Sequence, residues 1–70
     1  MNDMKSMENM ADNMKLVYSI LRIIRKCTIF DLQRITKLGD VDMCTTLGYL
    51  IKCRKIYPVR ENGSVYYALA

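Results

Sequence analysis

The sequence predicts a mainly α chain carrying one small β-hairpin: three helices followed by two antiparallel strands. Three observations carry that expectation. Apolar residues recur at helical spacing over residues 14–26 and again after Gly39. Between them, Thr28-Ile29-Phe30-Asp31 has the pattern of a capping box that opens a helix. Asn62-Gly63 separates two short alternating runs, the strongest short-range hairpin signal. The 70 residues allow one domain. A chain of this size buries only roughly 60% of its unfolded surface, so a partner or self-association is a common source of extra stability.

In the first helix, Val17, Ile20, Leu21 and Ile24 form an i, i+3, i+4, i+7 stripe, with Lys15, Arg22, Arg25 and Lys26 largely off it. Arg25 and Lys26 fall in the expected last turn, where cations favour the helix dipole. Upstream, Met7, Met10 and Met14 continue the stripe at heptad spacing, over fewer than the ~3–4 heptads that define a coiled coil. Two starts fit. The helix begins near Asn9 or Asp12 and leaves residues 1–11 as a flexible Met-rich arm, or it begins near Asp3 and the arm is helical. The Asn and Asp content of the arm favours the first. Residues 12–70 form the domain under either reading.

In the second helix the Thr28 hydroxyl accepts from the Asp31 amide while the Asp31 carboxylate accepts from the Thr28 amide. Leu32 and Ile35 point inward, Leu38 closes the helix, and Gly39 supplies a positive φ at its end. Asp40 or Asp42 then caps the third helix, whose inward residues are Met43, Leu47, Leu50 and Ile51. Residues 56–59 form a strand, a type I′ turn follows at Asn62-Gly63, and residues 65–69 return. A two-residue loop sets Arg60 against Val65, Val59 against Tyr66 and Tyr57 against Ala68. One face then carries Ile56, Pro58, Val65, Tyr67 and Leu69, which we assign to the core; the other carries Tyr57, Val59, Tyr66 and Ala68. Pro58 lacks an N–H and suits an edge strand.

Composition excludes several classes. No apolar run approaches the ~18 residues of a membrane span. Asp3, Glu8 and Asp12 replace the apolar region of a secretion signal, so a cytoplasmic protein is expected. Three cysteines, an odd number, argue against a disulfide framework. Cys44 and Cys53 are nine residues apart on one helix and lie on opposite faces, and histidine is absent, so neither a metal nor a cofactor is expected. No Gly-rich phosphate loop exists, and no Ser or Cys stands beside a plausible base, so the chain is not expected to be an enzyme. Net charge is +4, unevenly spread: residues 1–13 carry −2 and residues 14–70 carry +6. A small basic domain suits a polyanion.

Thr28-Ile29-Phe30-Asp31-Leu32, Leu38-Gly39, the Leu47/Leu50 pair, Ile56, the Asn62-Gly63 turn and Tyr67-x-Leu69 together resemble the winged helix-turn-helix superfamily, in particular its small prokaryotic and phage transcription regulators. The resemblance spans residues 14–70. It implies a DNA-binding regulator whose third helix enters the major groove while the hairpin wing touches the backbone. Arg34 and Lys37 on the second helix, Lys52 on the third and Arg60 on the wing are then the phosphate contacts, and Thr45 and Tyr49 the base-edge candidates. Val41, Asp42, Cys44 and Gly48 share that surface.

Asp40 and Asp42 would bring negative charge toward a phosphate-lined groove, which keeps a second class in view. In that reading the chain is a protein-interaction module, a phage- or plasmid-type modulator of a host protein. Its contacts are Met7 and Met10 on the arm and Tyr57, Val59 and Tyr66 on the open sheet face. A weak homodimer through the Met stripe or that face is expected under either class.

Overall fold

The computed structural model describes the backbone of residues 3–70 and the side chains of residues 10–70. Six elements follow one another: α1 (Asp3–Ile24), β1 (Lys26–Thr28), α2 (Ile29–Thr36), α3 (Asp40–Lys52), β2 (Ile56–Glu61) and β3 (Ser64–Leu69). Helix α1 is 22 residues, about 33 Å at 1.5 Å per residue. It takes the longer of the two starts. Its core contribution runs from Met14 through Val17 and Ile20 to Leu21.

The strands form one antiparallel sheet in the order β1-β3-β2. The sheet has three strands where two were expected. Lys26, Cys27 and Thr28 pair with Ala68, Tyr67 and Tyr66, so the residues read as the last turn of α1 and the approach to α2 instead complete a sheet edge. Arg25 makes this exit by adopting a left-handed conformation, φ 86°. The β2–β3 register is the expected one, from Ile56 opposite Leu69 to Glu61 opposite Ser64. Asn62 and Gly63 both take positive φ, 51° and 80°, as a type I′ turn demands. Pro58 lies on an edge strand, β2.

Val17, Leu21, Cys27, Leu32, Met43, Leu47, Leu50 and Ile56 are buried together, with Met14, Ile29, Leu38, Tyr67 and Leu69 packed around them. Each fully buried aliphatic contributes about 1.5–3 kcal/mol of transfer free energy. Three residues expected to point inward do not: Ile24, Ile35 and Ile51 are exposed. Each sits at the margin of its helix's apolar stripe, and so few elements cannot cover those margins. Pro58, on the core-side face of the sheet, is also exposed. Thr46 takes a core place that the apolar pattern left blank.

The α2–α3 joint is built differently from the sequence expectation. The capping box is present: the Asp31 amide donates to Thr28 Oγ1 at 3.2 Å and the Thr28 amide to Asp31 Oδ2 at 3.4 Å. At the other end Thr36, not Gly39, stops the helix. Its hydroxyl donates to the Leu32 carbonyl at 2.7 Å and accepts from the Leu38 amide at 3.2 Å, and Lys37 takes the left-handed C-cap at φ 66°. Gly39 is extended, φ −73° and ψ 174°, and is itself the N-cap of α3. Neither Asp40 nor Asp42 caps α3. Both lie in its first turn, where their charge favours the dipole.

Candidate functional site

Helix α3 turns Met43, Thr46, Leu47 and Leu50 to the core. At 100° per residue the opposite face falls on Val41, Thr45, Gly48 and Lys52, with Cys44 and Tyr49 at its shoulders. Cys44, Thr45, Gly48, Tyr49 and Lys52 line one shallow groove of about 200 Å³ along the helix. Three residues singled out from sequence, Thr45, Tyr49 and Lys52, are thereby brought onto one surface.

The negative charges sort themselves. Gln33 Nε2 donates to Asp40 Oδ1 at 2.7 Å, so Asp40 ties α3 back to α2. That leaves Asp42 as the carboxylate beside the outward face. On the hairpin, alternation puts Arg60 on the same sheet face as Ile56 and Pro58, the face toward the helices, and Glu61 on the other. Glu61 Oε1 accepts from Lys26 Nζ at 2.6 Å. The Arg60 and Glu61 charges, adjacent in sequence, therefore serve opposite sides of the wing. Arg34 is exposed and donates to Asp31 Oδ1 at 2.9 Å, while Lys37 is exposed at the end of α2.

Gly48 has a position that the fold does not explain. A glycine in a helix interior costs about 1 kcal/mol relative to alanine. A Cβ built at Gly48 meets nothing within 4 Å. Neither internal packing nor backbone conformation requires glycine there, and its missing side chain deepens the middle of the groove.

On the outer sheet face, Tyr57 is exposed, whereas Val59 and Tyr66 are half-buried. Lys26 reaches from β1 across β3 to Glu61 on β2, with its ammonium 5.4 Å from the Tyr66 ring centroid. Lys26 is the residue that sequence reasoning missed. The polar–apolar–polar order Lys26-Cys27-Thr28 was its signal, but three residues are too short to separate from a helix end. Met10 is half-buried, and the Met7 side chain lies outside the described residues.

Among the cysteines, Cys27 is buried and Cys44 and Cys53 are exposed. Burial raises the Cys27 thiol above its ordinary pKa, and the nearby Asp31 charge acts in the same direction. Among the described residues, no group of three or more His, Cys, Asp or Glu side chains could hold a metal. No helix there is long and apolar enough to cross a membrane. No family model matches the chain, and neither a curated protein nor a solved structure matches it.

Proposed function

We propose that this chain is a winged helix-turn-helix regulator that binds duplex DNA, with α3 in the major groove and the β2–β3 hairpin as the wing. The element order, the three-residue turn from Lys37 to Gly39 between α2 and α3, and the hairpin that follows α3 support the class. The outward face of α3 carries the reading. Thr45, Tyr49 and Lys52 share an open groove, and Gly48 leaves room in it for close approach of another molecule. Val41 and the Thr45 methyl offer apolar contact of the kind that reads a thymine methyl, and Lys52 offers a phosphate contact. Arg34, Lys37 and Arg60 supply further cations.

Duplex selection from a random pool, followed by titration at two salt concentrations, tests this. Binding is expected to weaken steeply with salt through counterion release, and Lys52→Ala should reduce the slope of log K against log salt by about one. Absence of any duplex binding at low salt would end the reading.

A protein-interaction module is the second reading. Tyr57 on the outer sheet face and Phe30 on α2, 76% exposed, favour it. The Lys26–Glu61 pair across Tyr66 works against it, because it already occupies part of that face. A cytosolic partner that survives nuclease treatment and is lost in Tyr57→Ala/Tyr66→Ala would favour this second reading over the first.

A further inference from the structure

We infer that the solvent flank of α1 pairs with the same flank of a second copy of this chain, antiparallel, to form a two-fold dimer. The flank is Leu16, Ile20 and Ile23, at steps of four and three, the spacing of a coiled-coil seam. It adjoins the stripe Met14, Val17 and Leu21 that faces the core, and Ile20, packed in part against that core, is the border between the two. Ile23 is 80% exposed, Leu16 and the neighbouring Ile24 are exposed, and Ile20 is only half covered. The shallow cleft at Ile23 is lined by Ser19, Arg22 and Ile23, all on α1, and among the described residues no other element lines it. Single exposed aliphatics are ordinary, but a row of them along one helix marks an association surface.

Charge identifies the occupant. The first 13 residues carry −2, and Asp12 is exposed. The other end of α1 leads into Arg22, Arg25 and Lys26, of which Lys26 is engaged by Glu61. The helix is thus a rod with an acidic end and a basic end. A parallel pair would set like ends together. An antiparallel pair about an axis between Leu16 and Ile20 sets the exposed Asp12 of each helix beside Ile24 and Arg25 at the end of the other. A second copy carries the required reverse gradient by construction, which is the self-complementarity a two-fold interface needs. A nucleic acid would meet an aliphatic seam and an acidic end. The seam spans about two helical turns, well short of the ~1,600 Å² of a standard interface, so the dimer is weak and concentration-dependent. This flank of α1 is distinct from α3, the helix proposed to meet DNA.

Sedimentation equilibrium of the full chain under reducing conditions tests it. The native chain should show a monomer–dimer equilibrium. Ile23→Asp, at a site too exposed to unfold the domain, should weaken it at least about tenfold. Asp12→Arg and Arg25→Asp should each weaken it, and the double variant should restore it. Aspartate tolerates the left-handed conformation at position 25, and circular dichroism confirms that each variant folds. A native chain that stays monomeric to about millimolar concentration overturns the dimer, as does an Ile23→Asp chain that associates as tightly as the native one. If the charge-swapped double variant associates no better than its parents, the antiparallel arrangement is overturned.

Discussion

Helices α1 and α3 are alike on their inner faces and opposite on their outer ones. Both bury an aliphatic stripe, Val17 and Leu21 in α1 and Met43, Leu47 and Leu50 in α3. Outward, α3 shows Thr45, Gly48, Tyr49 and Lys52, whereas α1 shows Leu16 and Ile23. Burial explains the inner faces and says nothing about the outer ones. A small domain has freedom over what it leaves in water, so a notched, polar face with one lysine and an aliphatic one on the same molecule accord with the two encounters proposed above, duplex DNA at α3 and a second copy at α1.

The largest effect separates the two sides of α1 itself. Leu21 is fully buried and Ile23, two residues on, is 80% exposed. Leu21→Ala should cost about 2–5 kcal/mol of stability through lost transfer energy and the cavity left behind. Ile23→Ala should fall within about 0.5 kcal/mol in dilute protein. Urea denaturation of both variants at low concentration measures the difference. Equal costs would mean that the outer flank of α1 is covered within the monomer, and the comparison would collapse.

On α3 the sharpest probe is Gly48. Alanine there has open space and better helix propensity, so Gly48→Ala should raise stability by about 0.5–1 kcal/mol. It should at the same time reduce affinity for duplex DNA, since a methyl group enters the groove between Thr45 and Tyr49. Thermal unfolding and a binding titration read the two effects separately. A stabilised protein with unchanged DNA affinity would show that α3 does not come close to DNA at this position.

How much of this was legible in the sequence depends on how local the determining interaction is. The capping box and the hairpin register were readable because Thr28 with Asp31, and Asn62 with Gly63, fix geometry within a few residues. The end of α2 was misread because glycine is the usual helix terminator, whereas here the Thr36 hydroxyl satisfies both a carbonyl and an amide. Strand β1 was missed because its partner, β3, lies some 40 residues away in the chain and three residues carry almost no periodicity. The outward set on α3 followed from helical phase. That Asp40 is tied to Gln33 and that Gly48 has no internal reason required the assembled fold.

The contrast between inner and outer recurs in β1, where Cys27 faces the core and Lys26 the solvent. Because burial raises the Cys27 pKa, the folded state favours the neutral thiol. Its contribution to stability is fully present below the unfolded thiol value of about 8.5 and is lost as pH rises through the folded value. Stability should therefore fall above about pH 8.5 more in the native chain than in Cys27→Ala, once each is referred to its own value at pH 7. Alkylation should modify Cys44 and Cys53 first and reach Cys27 only on unfolding. Reaction of all three thiols at one rate in the folded protein would place Cys27 outside the core.

The smallest effect concerns the pair on the outer sheet face. Lys26 and Glu61 approach to 2.6 Å, but each side chain is 44% exposed, so water and salt screen the attraction. A double-mutant cycle of Lys26→Ala and Glu61→Ala should give a coupling of about 0.2–1 kcal/mol that fades in high salt. Lys26 also lies over Tyr66, so Lys26→Ala should cost more than Glu61→Ala by the cation–π contribution, about 0.5 kcal/mol at an exposed site. Adding Tyr66→Leu should remove that excess while leaving the Lys26–Glu61 coupling in place. If the excess survives Tyr66→Leu, the ring contributes nothing electrostatic, and Lys26 acts through the packing of its aliphatic stem across β3.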